Sequence, residues 1–257
     1  MSADPSVPAI ESNPPQRARD AGVAARGARQ SRAGIDRTAL GWLVLIVAGL
    51  GGFLLMTVLM LQHVAWSFDQ PILDQVRPWA GDGTIWRVIS ESANIPLIVI
   101  GVGMVLVLFA THHRREAILV AIVLIAVTAG SEGVKQLVAR PRPEGTDPNI
   151  PGVVYSYPSG HVLEVLTIFG IIASHVVRSR ASRVVAALVV VAVLVDAFLV
   201  GLSRVVLNAH YPSDAVASFI GGLGVLGVYG LLTHDGSTAA DGGADRGRSD
   251  EPAASPT

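Results

Sequence analysis

The sequence predicts an all-α protein, a polytopic membrane bundle of six transmembrane helices with an interfacial helical segment between the first and second. Three observations lead there. Hydrophobic residues make up 51% of the 257 and charged residues only 15%, a balance well to the apolar side of soluble domains. The apolar residues run in unbroken stretches rather than at helix or strand period, as a bilayer and not a water-facing surface requires. The charges are segregated along the chain, so the formal net charge of -1 conceals their placement. With no cysteine, disulfides and thiolate metal sites are excluded.

Residues 1–39 are rich in Pro, Ser, Ala and Arg with few large apolar side chains. Such a segment cannot offset the entropy of ordering, and a disordered, basic, cytoplasmic tail is expected. Arg17, Arg19, Arg26, Arg29, Arg32 and Arg37 precede a first apolar run that is too long and too late for a cleaved signal peptide, so it reads as a retained anchor. Apolar segments at 40–62, 95–111, 117–134, 162–177, 184–202 and 214–232 approach or reach the roughly 20 residues that span hydrocarbon. They bound a membrane domain over 40–232, followed by a second disordered cytoplasmic tail over 233–257. Between the first two runs, Trp66, Trp79 and Trp86 alternate with polar residues, as in a segment lying at the membrane interface or a lid over it. With the amino terminus cytoplasmic, the tail arginines, Arg114 and Arg115, and Arg178, Arg180 and Arg183 all fall inside, which agrees with the positive-inside bias. In the last run Gly221, Gly224, Gly227 and Gly230 recur every three residues. They form a smooth face that reads as a contact within the bundle ahead of a dimer seam.

Helix parity then places the chemistry. The end of an odd span and the start of the next even span share one membrane face. Lys135, Arg140, Arg142, Ser159-Gly160-His161, Ser203-Arg204, His210 and Asp214 therefore all land outside. Basic residues at helix ends often only snorkel to headgroups, which is the plainer reading of any one of these cations. Snorkelling does not account for the histidines. Ser159 and Gly160 stand where a helix starts, and free N–H groups there form an anion site. Arg142 and Arg204 offer planar forks suited to a phosphoryl group, and Lys135 a point charge. Asp214, four residues after His210, is placed to accept from one ring nitrogen and leave the other as a nucleophile. His161 is suited to proton transfer. The remaining histidines, His63, His112, His113, His175 and His234, lack such a setting and read as structural.

The spacing Lys135-(six residues)-Arg142-Pro143, Pro158-Ser159-Gly160-His161 and Ser203-Arg204-(five residues)-His210-(three residues)-Asp214 resembles the type 2 phosphatidic acid phosphatase superfamily. The resemblance implies an integral membrane lipid phosphatase, independent of metal and other cofactors, working through a phosphohistidine. His210 would be the nucleophile, Asp214 its orienting partner and His161 the acid and base. Lys135, Arg142, Ser159, Gly160 and Arg204 would hold phosphate. The implied substrate is a lipid phosphate or isoprenyl diphosphate at the outer face of the cell membrane. Membrane lipids are the other expected partners, and nucleic acid is not one. Arg140, at an unspecified motif position, and Glu164, one turn after His161, are candidate substrate-selectivity residues, since acids inside a membrane are costly and often functional. Asp196, eight residues before Arg204, reads as a structural hydrogen-bonding acid. The competing class is a non-catalytic lipid-phosphate binding or transport protein that uses the same cations.

Overall fold

The computed structural model describes residues 37–146, 154–179 and 181–234. Contacts divide the chain into residues 1–37 and 38–257, and the bundle belongs to the second of these. Most of both expected tails lies outside the described residues. The boundary at 40 is corrected, however, because Arg37, Thr38 and Ala39 already belong to the first helix.

Helix α1 spans Arg37–Leu61, α2 Asp69–Val76, a 3-10 turn Arg77–Ala80, α3 Thr84–Glu91, α4 Ile95–Ala110, α5 Arg114–Val138, α6 Gly160–Arg178, α7 Arg183–Val206 and α8 Pro212–Leu232. Among the described residues the only strand-like pairing is one bridge between Pro141 and Tyr155. Among the described residues six helical stretches are long and apolar enough to cross a membrane, with Thr84–Ala110 counted as one, and the protein is a multi-pass membrane protein. The segment between the first two spans is helical, as expected. Pro96, near the start of α4, has no N–H to continue the α3 ladder, so the chain re-enters helix at Ile95 after a break, with Asn94 at the N-cap position. Helix α7 is capped by Ser182, whose side chain accepts the Val185 N–H at 3.3 Å. Pro212 at the start of α8 loses no bond, because the first N–H groups of a helix are unpaired anyway.

Helix α6 is the centre of the bundle and packs against α5, α7 and α8. Its Val162, Val165, Leu166 and Ile171 are fully buried. On the outside, Val47 is 72% exposed and Ile125 69%, an apolar belt that only lipid can solvate. Lipid tails are as apolar as the side chains, so close packing and not hydrophobicity joins the helices. The glycine face of α8 shows how. Gly221 faces Phe53, Gly224 faces Gly49 and Leu50, and Gly230 faces Trp42, so the stripe seats α8 on α1 inside one bundle.

Candidate active site

The expected residues lie together at one end of the bundle, at the close of α5 and α7 and the start of α6 and α8. Helix α5 ends where Ala139 adopts a left-handed conformation (φ 51°) and returns its N–H to the Lys135 carbonyl at 2.9 Å. That turn directs the following arginines across the helix ends. Ser156 N–H binds the Arg140 carbonyl at 2.9 Å, so the two ends of the α5–α6 loop, which carry the first and second motifs, run side by side. Lys135 stands beside the start of α6: a Cβ built on Gly160 would lie 3.7 Å from its Nζ. Lys135 also pairs with Glu132 at 3.5 Å.

His210 lies in the short loop between α7 and α8 and is 3% exposed. Its Nδ1 is 2.6 Å from the Ser156 carbonyl. A carbonyl only accepts, so Nδ1 carries the proton and the neutral ring keeps its lone pair on Nε2. The Asp214 carboxylate, expected to make this hydrogen bond, stands 3.7 Å from Nδ1. The reason is its other commitments: one oxygen receives the Tyr211 N–H at 2.9 Å and the other pairs with Arg140. Burial, reinforced by Arg204 and Arg142, outweighs Asp214 and brings the His210 imidazole down to about 4.

Arg204 is 6% exposed and donates from Nη1 to Ser90 Oγ at 2.7 Å. Arg142 reaches the Ala209 carbonyl at 3.4 Å, and burial holds its guanidinium below the ordinary arginine range. Burial also works against charge on Arg140, but Asp214 and Asp69 prevail and hold it above that range. Four buried side-chain atoms have no hydrogen-bond partner among the described residues: Trp66 Nε1, Ser159 Oγ, His161 Nε2 and Arg204 Nε. Unsatisfied buried polar atoms are rare and costly, and three of the four belong to residues expected to be catalytic (His161) or phosphate-binding (Ser159, Arg204). A cavity of about 600 Å³ opens beside His161 and Arg204 and is lined also by Arg77, Arg87, Ser90 and Asn208.

Glu164 lies on α6 and accepts from Thr128 Oγ1 of α5 at 3.2 Å. It faces an apolar groove of about 640 Å³ that also contains Glu132. Sequence reasoning missed Asp69, Ser90, Ser156 and Asn208. Asn208 Nδ2 donates to the Glu144 carbonyl at 2.7 Å, and its backbone carbonyl takes the Thr146 hydroxyl at 2.7 Å. It thereby ties the α7–α8 loop to the α5–α6 loop.

A helical membrane bundle with histidines, arginines and a lysine gathered at one end defines a polytopic protein with a cationic pocket at the mouth of its bundle. Residues 116–235 match the family model described as the PAP2 superfamily. Lys135 through Asp214 all fall within it. The crystal structure of a transmembrane PAP2 type phosphatidylglycerolphosphate phosphatase from Bacillus subtilis has the same fold, with a TM-score of 0.56 at 20% identity over 71% of this chain and 94% of that one.

Proposed function

We propose that the protein is an integral membrane phosphatase that hydrolyses a lipid phosphate or isoprenyl diphosphate at the outer face of the membrane through a phosphohistidine. The observation that carries this reading is the state of His210: Nδ1–H is committed to the Ser156 carbonyl, so a lone pair is left on Nε2 in a cluster of cations. Nε2 attacks phosphorus, the bond to the leaving oxygen breaks, and His161 gives that oxygen a proton. His161 then takes a proton from water as the water displaces the histidine, and inorganic phosphate and the second proton leave. Arg142, Arg204, Lys135 and the α6 N-terminus at Ser159 and Gly160 would hold the phosphoryl oxygens as charge spreads over them. These cations supply the charge stabilisation that a metal provides elsewhere, which supports metal independence.

The Bacillus subtilis neighbour makes phosphatidylglycerolphosphate the first substrate to offer, beside phosphatidic acid and an isoprenyl diphosphate. Purified protein should release phosphate from at least one of them in the presence of chelator. Rapid quenching followed by mass spectrometry under acid-sparing conditions should find the phosphoryl group on His210. Binding of these lipids without turnover would replace the enzyme by a binding or transport protein, and phosphate mapped to another residue would overturn the mechanism.

A further inference from the structure

Asp69 opens α2, outside the segment that matches the family model, yet it reaches the catalytic end of the bundle. It is 4% exposed. One carboxylate oxygen accepts the Ser213 N–H at 2.8 Å, and the other accepts the Ser213 hydroxyl at 2.6 Å and Arg140 Nη2 at 2.7 Å. Arg140 gives its second nitrogen to Ser213 Oγ at 2.8 Å and to the Asp214 carboxylate, while its guanidinium lies 3.9 Å over the Tyr211 ring. One arginine is thus shared by two buried carboxylates, and the second of these is the neighbour of His210.

We propose that Asp69 and Arg140 are positioning residues: by competing with Asp214 for Arg140, Asp69 sets how much of the Asp214 charge the His210 ring feels. The proposal rests on the phosphatase reading for its consequence, but not for its geometry. Two buried anions share one cation, so the pull of Arg140 on Asp214 is divided. Negative potential is left on the oxygen that faces His210 Nδ1 at 3.7 Å. Asp214 favours the imidazolium, while Arg204 from α7 and Arg142 from the α5–α6 loop oppose it. His161, on α6, is the further titratable group close enough to interact electrostatically with the ring.

A merely structural staple between α2 and α8 would weaken the fold and leave the titration of His210 alone. A charge-sharing clamp makes its two ends act in opposite directions. Arg140→Gln removes the cation from Asp214 and should move the His210 midpoint to higher pH by about one pH unit. Asp69→Asn keeps an acceptor for the Ser213 N–H, frees Arg140 to commit to Asp214, and should move the midpoint lower.

The test follows deuterium exchange at the His210 ring carbon against pH by mass spectrometry, in full-length protein in detergent, together with phosphate release from the lipid panel. Opposite shifts are expected, with kcat of Arg140→Gln reduced about tenfold or more and KM little changed. Shifts of the same sign in the two variants, or none, overturn the clamp. If Asp69→Asn cannot be recovered as a monodisperse protein, Arg140→Gln decides alone: an upward shift supports the clamp and an unchanged midpoint overturns it. Opposite shifts in a protein that hydrolyses no member of the panel would keep the clamp and remove the phosphatase.

Discussion

A neutral imidazole held by a main-chain carbonyl is a nucleophile only while its Nε2 lone pair stays unprotonated. Because the His210 pKa is depressed to about 4, the neutral form persists down to that pH and is lost as pH falls through it. The acid limb of kcat/KM for the free enzyme is therefore expected near pH 4, not near the ordinary histidine value of about 6.5. A pH–rate profile with a short-chain lipid phosphate in detergent measures it, and a limb at the ordinary value would place the essential ionisation on another group. His161→Ala should lower turnover of an alkyl phosphate by about 10²–10⁴-fold, and far less for an aryl phosphate whose leaving group needs no proton. Equal losses for both substrates would deny His161 the acid role. That His161, His210, Lys135 and the arginines gather at one end was legible because helix parity and their fixed spacing within one segment bring them to one face. The partner of His210 was not. Ser156 contributes a carbonyl, which every residue possesses, so no side-chain pattern marks it. Ser90 and Asp69 were equally silent, since each comes from a segment far off in sequence and meets Arg204 or Arg140 only once the helices pack.

Hydropathy reads the hydrocarbon layer, whereas a helix continues for as long as its backbone bonds hold. That difference explains why the six spans were legible while several of their ends were not. Helix α5 runs from Arg114 to Val138, beyond the apolar run at 117–134, and so carries Lys135 inside its last turn. The glycine stripe was legible as a packing face, but its partner was not, because a smooth surface does not say what lies on it. With α1 now identified as that partner, Gly224→Val should be severely destabilising. A Cβ at 224 would lie 2.9 Å from the Gly49 carbonyl carbon and from Leu50 Cδ2, and backbone cannot rotate away as a side chain can. Overpacking of this kind costs about 1–3 kcal/mol or more. Gly51→Ala on the same helix pair meets nothing within 4 Å and should be neutral or stabilising by about 0.5–1 kcal/mol through helix propensity. Thermal unfolding in detergent distinguishes them: a lowered midpoint for Gly224→Val beside an unchanged or raised one for Gly51→Ala supports the seam, and equal midpoints would place α1 elsewhere.

At the scale of the whole molecule, the two ends of the bundle differ in chemistry. One holds the His161, Arg204 and His210 cluster. The other holds a pocket of about 360 Å³ lined by His112, Arg114, Arg115, His175 and Arg178. Both ends carry cations, so charge alone does not orient the molecule, and the two sets must be weighed by their environments. At the second end the arginines are ordinary loop and helix-end cations: Arg114 and Arg115 are exposed, and Arg178 pairs with Glu116 at 3.0 Å. At the first end Arg204 is buried against Ser90 and tied to one site, and among the described residues the exposed arginines there, Arg77 and Arg87, are fewer than Arg114, Arg115, Arg178 and Arg183 at the second. The positive-inside bias acts on exposed loop cations, so the second end is expected in the cytoplasm and the site outside. The absence of native cysteine makes this directly measurable. Single cysteines at Thr146, in the loop that carries Arg142, and at Ser179, after α6, should report opposite faces of the membrane. An impermeant thiol reagent applied to intact cells should label position 146 and spare 179 until the cells are opened. Thr146 donates its hydroxyl to the Asn208 and Pro143 carbonyls, so cysteine there is checked for retained phosphate release before labelling is read. Labelling of 179 and not of 146 would invert the molecule and turn the site toward cytoplasmic lipid phosphates, with the chemistry of His210 unchanged.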